Sequence, residues 1–374
     1  MERAQKHFRK IDLLRGIAIL CVFQAHFIWY YFPDYSGVVA ADGGHPAKKV
    51  FLLNFLPRTV GWAGVTIFIL VSGFLLHLGY LRDRQRFTLR GFYSRRFWRV
   101  YPPYLLVLVL FTIFLEHGRT GGFAFLLHLF SLQNVTTQTY FSVNPTFWCL
   151  ALEVQFYVFY AVVLYGIRRW GIKPVLFWSF FVSIGWQAAG RLGPWGQTLP
   201  WVNSSIALEV VWVVGAFLAE AYNKSERLPD ALSRNDLWAV LGAFFLAGYL
   251  APENAIWQYV AGLIGVLVMD AILHSEKITL QGRPGRLIVA IGLCSYSIFL
   301  IHQPLLQAWT DLLDLHSPHY RGYRLVDGIV VSLVIIGVSW LMYLYVEQTS
   351  IGIGAKLQRR PKVVRMHKRK TPAK

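Results

Sequence analysis

The chain has 374 residues, of which 55% are hydrophobic and 15% are charged. Soluble domains carry about a quarter of charged residues, so this composition excludes an ordinary soluble protein. The net charge is +18, from 37 Lys and Arg against 19 Asp and Glu. The basic residues lie between hydrophobic blocks and in the C-terminal segment, which is typical of topogenic charge and contact with lipid headgroups and argues against nucleic-acid binding.

Hydrophobic blocks long enough to cross a bilayer recur along the whole chain. About 20 apolar residues in a helix span a hydrocarbon core about 30 Å thick, and blocks near this length predict about ten transmembrane helices. The expected fold class is therefore all-α, a polytopic integral membrane protein. The predicted spans, of which the fifth and seventh are short, are Ile11–Phe32, Val60–Leu81, Tyr101–Leu115, Phe147–Ile167, Val175–Trp186, Ser205–Ala221, Leu237–Leu250, Ile256–Leu273, Leu287–Trp309 and Val326–Val346.

The basic residues between these spans predict the orientation of the chain. With the N-terminus in the cytoplasm, 29 of the 37 Lys and Arg residues fall on the cytoplasmic side and 7 fall in external loops. Cytoplasmic loops carry such an excess, so both termini are predicted to be cytoplasmic in a multi-pass protein of the inner (cytoplasmic) membrane. Residues 1–355 form the predicted transmembrane domain, and residues 356–374 form a disordered basic tail.

Three cysteines, Cys21, Cys149 and Cys294, all lie within hydrophobic blocks. Their spacing matches no metal-binding cluster, so no metal is predicted, and it does not indicate a disulfide framework. Small buried apolar side chains are the ordinary interpretation of such cysteines. A minor alternative, a covalent acyl-carrying thiol at Cys149, stays open.

The first predicted span contains three ionisable side chains, Asp12, Arg15 and His26. Ionisable groups at membrane depth are costly and indicate functional sites. Arg15 and His26 lie on one helix face, roughly 16 Å apart along the axis. This spacing places Arg15 near the cytoplasmic side and His26 in the outer half, with Asp12 one turn from Arg15 as its expected partner.

Two other spans place an ionisable group near the predicted depth of His26. Glu153 and His302 lie roughly 9–10 Å from the external ends of their spans. Three such groups at one depth predict a buried catalytic or transport site. For His302, a hydrogen bond between helices is the open alternative. A buried Glu153 must be paired, protonated or hydrated. If it pairs with a histidine, its carboxylate stabilises the imidazolium formed on proton abstraction, which makes that histidine a better general base.

The loop after the second span ends in a basic segment, Arg95–Pro102. Arg95 and Arg99 are four residues apart and form a one-sided cationic patch in a helix, with Arg96 beside them. A guanidinium group matches the geometry of phosphate, so the segment predicts a phosphate-binding site. Topogenic charge at the membrane surface explains it equally well.

These segments together resemble the membrane acyltransferase-3 family, in which the first span carries an Arg-x10-His motif. Arg15 and His26 match that motif, and Arg95–Pro102 is similar to the family's basic motif. Cys149 stands where serine is usual, and the proline often found after Glu347 is absent. Some relatives carry an additional soluble esterase-like domain, which is not expected here. The other similar blocks, in order along the chain, are Ile11–Ala18, Gly64–Leu75, Pro145–Tyr157, Ser295–Leu305 and Tyr345–Glu347.

The resemblance implies an O-acyltransferase domain that moves an acyl group, usually acetyl, from cytoplasmic acyl-CoA to a hydroxyl of a carbohydrate or glycoside, such as a surface polysaccharide. The expected partners are this acceptor and the lipid bilayer. His26 would take the proton of the hydroxyl, oriented by Glu153 or His302. The resemblance implies that the catalytic residues are His26, Glu153 and Arg15. It implies that acyl-CoA binds to Arg95, Arg96 and Arg99. His302 and Asp12 are further candidate site residues.

Two other classes of protein fit part of this pattern. A proton-coupled transporter of a glycoside or lipid-linked sugar also needs inward-facing His and Glu residues. Internal repeats and broken helices would favour a transporter, and the sequence indicates neither. A scaffold for polysaccharide assembly is the third interpretation, and it predicts that the polar residues within the spans tolerate substitution.

Overall fold

The computed structural model describes residues 2–32, 48–115, 121–193, 198–227, 255–275, 278, 280, 282–313 and 324–358. Every regular element in these ranges is helical, which confirms the all-α prediction. The helices are α1 (Glu2–Tyr31), α2 (Lys48–Arg82), α3 (Leu89–Phe114), α4 (Gly122–Leu129), α5 (Phe147–Trp170), α6 (Ile172–Leu192), α7 (Leu199–Val202), α8 (Ser205–Asn223), α9 (Ala255–His274), α10 (Arg283–Leu293), α11 (Ser295–Leu312), α12 (Arg324–Met342) and α13 (Gln348–Gln358). A 3₁₀ turn covers Gln133–Val135, and a π-helical turn covers Tyr343–Glu347.

Within the described ranges, 6 helices are long and apolar enough to cross a membrane, and a bent pair makes 7 if it forms one span. This confirms a polytopic membrane protein. The six are Arg9–Tyr31, Thr59–Arg82, Leu89–Phe114, Phe147–Trp170, Leu199–Asn223 and Leu325–Gln358.

Four of the ten predicted spans are not among these six helices, and one of the four, Leu287–Trp309, corresponds to the bent pair. Ile256–Leu273 corresponds to a shorter apolar helix, Gln258–His274. Val175–Trp186 lies within α6, which is helical but does not belong to the six. Leu237–Leu250 lies outside the described residues.

The predicted span Leu287–Trp309 is not one continuous helix. Its two halves, α10 and α11, meet at an angle of 78° around Cys294. Just before the bend, α10 packs closely against α1, where a Cβ on Gly292 would lie 1.8 Å from the backbone oxygen of Asp12. The hydropathy of Leu287–Trp309 reveals neither the close packing nor the bend, so this apolar run predicts a single straight helix.

The centre of the helix bundle depends on close crossings at small residues. A Cβ on Gly73 of α2 would lie 2.0 Å from the backbone oxygen of Trp212 in α8. In the same crossing, a Cβ on Gly215 would lie 2.2 Å from the backbone oxygen of Leu70. Small residues allow helix backbones to approach this closely, and the crossing holds α2 between α1 and α8.

The direction of α11 brings distant parts of the sequence together. It runs alongside α1, so that Ser295 at its start borders the same cavity as Arg15, and His302 meets His26. The chain then returns through α12 to the π-helical turn and α13. α13 continues to Gln358, so the predicted tail boundary at residue 355 falls inside this helix, and residues 359–374 lie outside the described residues.

Candidate active site

A cavity of about 330 Å³ lies between α1, α2, α3, α5 and α11. Its wall combines apolar side chains with charged groups from three helices, α1, α3 and α5. The charged lining residues are Asp12, Arg15, Arg96, Arg99 and Glu153. Ionisable groups that face a common cavity inside a membrane protein are typical of a functional site. Of the eight candidate residues that the sequence singled out, five therefore meet in one place.

Arg15 and Asp12 form the local pair that their spacing predicts. Their closest side-chain nitrogen and oxygen atoms are 3.7 Å apart. Arg15 also interacts electrostatically with Arg99, Glu153 and Glu347. Buried guanidinium groups need such carboxylate partners, because an unpaired charge at this depth is costly. The cavity therefore contains a cluster of charges of both signs, in which carboxylates offset the repulsion between Arg15 and Arg99.

The three arginines of the basic segment take different positions. Arg96 and Arg99 line the cavity, whereas Arg95 is exposed and does not line it. The Arg96 guanidinium carbon lies 5.8 Å from the ring centre of Phe92 and 5.7 Å from that of Tyr157. Such cation–π contacts fix a guanidinium group. One helix thus presents two cations inward and one outward.

Glu153 belongs to the charged cavity and not to the histidine level. Its carboxylate accepts a short hydrogen bond from the hydroxyl of Tyr157, one turn further along α5. It also interacts electrostatically with Arg96 and Arg15. His26 and His302 do not line this cavity. The expected grouping of Glu153 with His26 and His302 is therefore not found, because the rise along single helices does not show which side chains the packing of the helices brings together.

Glu347, which the sequence places at the cytoplasmic end of the last span with Arg99 as a candidate partner, belongs to the same charged cluster. It is 1% exposed and accepts a hydrogen bond from Ser297 at 3.2 Å. It also interacts electrostatically with Arg99 and Arg15. Glu347 ends the π-helical turn Tyr343–Glu347, and such turns are frequent at functional sites. The sequence signal was a glutamate at the end of an otherwise apolar span.

His26 and His302 form a direct pair, with Nδ1 of His26 3.0 Å from Nε2 of His302. His302 is 0% exposed, whereas His26 is partly exposed. The His302 ring packs beside Phe23 and Phe299. Phe299 also lines the charged cavity, so one aromatic side chain separates the two parts of the site. Of the two partners considered for His26, the structure provides His302.

The hydrogen bonds of this pair determine which nitrogen atom is a base. Nδ1 of His302 lies 3.0 Å from the carbonyl oxygen of Ile298 and 3.1 Å from that of Phe299. A carbonyl only accepts, so this nitrogen carries the hydrogen, and Nε2 of the neutral ring is an acceptor. His26 must then donate its Nδ1–H to His302. The lone pair of His26 is consequently on Nε2, as a general base requires.

No group of three or more His, Cys, Asp or Glu side chains suited to a metal ion occurs among the described residues. Cys149 lines the charged cavity and is a free thiol, as are Cys21 and Cys294. Ser72, Ser295 and Tyr296 add polar atoms to the cavity wall. The arrangement can therefore hold a polar ligand within an apolar chamber, and Phe299 in its wall packs against His302 of the histidine pair.

Comparison with known proteins indicates an acyltransferase. The model of a family described as "Acyltransferase domain", acyltransferase family 3, matches residues 8–344. Peptidoglycan O-acetyltransferase OatA of Listeria monocytogenes is 23% identical over 381 residues, covering 91% of this chain and 56% of that protein. Exopolysaccharide production protein ExoZ of Rhizobium meliloti is 27% identical over 261 residues, covering 65% of this chain and 76% of that protein.

A further relative is O-acetyltransferase OatA of Staphylococcus aureus. It is 22% identical over 290 residues, covering 69% of this chain and 48% of that protein. The chain thus spans about half the length of the OatA proteins that it matches. No solved structure is significantly similar to it.

Proposed function

Because the chain belongs to the acyltransferase 3 family, whose match covers residues 8–344, we propose that it is a membrane O-acetyltransferase. It transfers an acetyl group from acetyl-CoA to a hydroxyl of a carbohydrate or glycoside acceptor. The observation that carries this proposal is the His26–His302 pair, which leaves a lone pair on Nε2 of His26, while Phe299 beside His302 lines the charged cavity. The OatA relatives are O-acetyltransferases by name, and ExoZ takes part in exopolysaccharide production.

The donor binds from the cytoplasmic side. Ligand pockets range from about 300 to 1,000 Å³, and the cavity of about 330 Å³ is at the small end of that range. It suits the pantetheine arm and its acetyl group better than a whole acetyl-CoA molecule. The nucleotide phosphates lie at the entrance near Arg95, with Arg96 and Arg99 further in, because guanidinium groups bind phosphates well.

Transfer is direct, and His26 is the general base. Its Nε2 takes the proton of the acceptor hydroxyl while the hydroxyl oxygen bonds to the thioester carbonyl carbon. The carbonyl electron pair moves onto oxygen and returns when the carbon–sulfur bond breaks, and the His26 imidazolium gives its proton to the CoA sulfur. Arg15, which lies roughly 16 Å from His26 along α1, holds the donor on its path from the cytoplasmic side through its positive charge. The products are an O-acetyl ester and free CoA.

The acceptor reaches His26 from the external side. His26 is the partly exposed member of the pair, and the positive-inside distribution of Lys and Arg places its end of α1 outside. In the proposed arrangement, the protein crosses the inner membrane ten times and has both termini in the cytoplasm. Peptidoglycan fragments and exopolysaccharide oligosaccharides are the acceptor classes that the names of the relatives suggest.

The test is acetyl transfer by purified protein in lipid nanodiscs. Radiolabelled acetyl-CoA is supplied with both classes of acceptor, and labelled ester is counted. His26→Ala should lower kcat about 10²–10⁴-fold, which is the contribution of a positioned base, whereas Trp29→Ala, at an exposed position of the same helix, should not. Normal transfer by His26→Ala protein that is present at the normal level in membranes would contradict the proposal.

Thermal unfolding with and without acetyl-CoA separates the enzyme from the other two interpretations. An acetyl-CoA-dependent enzyme unfolds at a higher temperature when the donor is bound, because a ligand of the native state stabilises it. A transporter of glycosides or a scaffold shows no such shift.

A further inference from the structure

A proline interrupts α11 two residues beyond His302. Pro304 lies inside the helix, and proline has no backbone N–H to donate to the carbonyl four residues earlier. That carbonyl belongs to Leu300, which is completely buried. A buried carbonyl without a donor destabilises the native state, so the bond that proline removes has to be replaced from elsewhere in the protein.

Asn144, from the segment that precedes α5, supplies the missing donor. Its Nδ2 lies 2.8 Å from the carbonyl oxygen of Leu300, and the residue is 0% exposed. Its Oδ1 accepts hydrogen bonds from the backbone N of Thr146 at 3.0 Å and from the Thr146 hydroxyl at 2.8 Å. These partners fix the orientation of the amide group, because Leu300 O can only accept and Thr146 N can only donate.

The same turn of α11 holds His302. Its Nδ1–H is directed at the carbonyls of Ile298 and Phe299, and the hydroxyl of Thr146 also lies 3.3 Å from the Phe299 carbonyl. Three successive carbonyls of α11 thus receive side-chain hydrogen bonds. The position of the His302 ring, and of the Nε2 atom that accepts from His26, depends on this group of bonds.

We propose that Asn144 is a positioning residue for acetyl transfer: by donating to the carbonyl that Pro304 leaves free, it fixes the turn of α11 that carries His302 and holds Nε2 of His302 against His26. The inference rests on the proposed function of His26 as base. Asn144 touches neither histidine, so it acts through the helix and not on the substrate.

Asn144→Asp is the variant that isolates this effect. The carboxylate keeps the size of the side chain and an oxygen that accepts from Thr146, but it has no N–H for Leu300. Asn134→Asp is the matched control, because Asn134 is also buried and lies in the same segment, but its amide group bonds to Gln155 of α5. Both variants introduce the same charge.

In the transfer assay, Asn144→Asp should lower kcat by up to about 100-fold, the effect of misplacing a catalytic group by about 1 Å. The KM for acetyl-CoA should stay unchanged, because the charged cavity is separate from the histidine pair. Asn134→Asp should keep the wild-type kcat. Equal kcat values for Asn144→Asp and wild type would overturn the inference, as would equal losses in both variants or a loss confined to KM.

A second measurement does not depend on activity. The hydroxyl of Tyr30 in α1 lies 3.3 Å from Oε1 of Gln307, which follows Pro304 in α11. Cysteines are introduced at these two positions after the three native cysteines have been replaced by serine, and a short bis-methanethiosulfonate reagent crosslinks them. Asn144→Asp should slow crosslinking severalfold and Asn134→Asp should not; an unchanged rate would overturn the inference.

The two measurements distinguish this inference from the proposed function. If His26→Ala abolishes transfer while Asn144→Asp neither reduces kcat nor slows crosslinking, only the positioning inference fails. If wild-type protein transfers no acetyl group but Asn144→Asp slows crosslinking, Asn144 still positions α11, and the proposed function fails.

Discussion

Nδ1 of His26 lies 3.0 Å from Nε2 of His302, although the two residues are 276 positions apart in the sequence. Because His302 directs its own hydrogen at backbone carbonyls, it can only accept from His26. A histidine thus takes the orienting position that a carboxylate has in a catalytic triad. A neutral partner in a buried site avoids the cost of an additional charge.

Replacement of His302 should impair catalysis without weakening donor binding. His302→Phe removes the acceptor for the Nδ1–H of His26, so that the ring loses its fixed tautomer and orientation. We expect kcat to fall about tenfold or more, and the KM for acetyl-CoA to stay constant. Steady-state kinetics in nanodiscs measures both values. Wild-type kcat in this variant would show that the pair only joins the two helices.

Arg95 should contribute to donor binding and not to the chemical step. Arg95→Ala should raise the KM for acetyl-CoA at low salt and leave kcat unchanged, because an exposed contact to a phosphate stabilises the bound substrate and the transition state equally. The effect on KM should shrink at high salt, since ions screen the contact. Arg90→Ala is the control, since Arg90 is also exposed on α3. KM measured over a series of salt concentrations checks this. An identical KM in the two variants would indicate that Arg95 is only topogenic.

Removal of the Glu347 charge should destabilise the charged cavity. Glu347→Gln keeps an acceptor for Ser297 but leaves Arg15 and Arg99 with one fewer buried carboxylate. The loss of one partner in a buried charge network costs about 3–5 kcal/mol, so the unfolding temperature in detergent should fall by several degrees. Glu226→Gln, at an exposed position, should not change it. A shift of equal size in both variants would contradict this explanation.

The bend between α10 and α11 should depend on Gly292. In Gly292→Ala the new Cβ would lie 1.8 Å from the oxygen of Asp12, so α10 must move away from α1 and the protein should unfold at a lower temperature. At Gly337 of α12, nothing lies within 4 Å of an added Cβ. Gly337→Ala should therefore be neutral or stabilising, by up to about 1 kcal/mol. Thermal unfolding of the two variants gives the comparison.

Direct transfer predicts that the thiol of Cys149 is dispensable. Cys149 lines the charged cavity, so a covalent acetyl-thiol is the one alternative that its position allows. If His26 activates the acceptor for direct attack, Cys149→Ala should keep kcat within about threefold of wild type, the size of an ordinary packing change. Intact-protein mass spectrometry after mixing with acetyl-CoA alone should show no acetylated Cys149. An acetyl adduct together with an inactive variant would establish a covalent intermediate.

The sequence by itself determined the features that depend on local geometry. Hydrophobic blocks indicated a polytopic helical membrane protein, since crossing a hydrocarbon core requires a long apolar helix. The pairing of Asp12 with Arg15 followed from a spacing of three residues, because such positions are neighbours on any helix. The order of the motifs indicated the family, and the match to residues 8–344 confirms it.

Only the tertiary structure decided which of these groups meet. Rise per residue predicted one depth for Glu153, His302 and His26, but the packing of the helices places Glu153 with the arginines and His302 with His26. The outward position of Arg95, the π-helical turn at Glu347 and the bend at Cys294 likewise depend on neighbouring helices. The physical reason is that a span's sequence specifies its polarity and periodicity, whereas its partners are selected by close packing and by the pairing of buried polar groups.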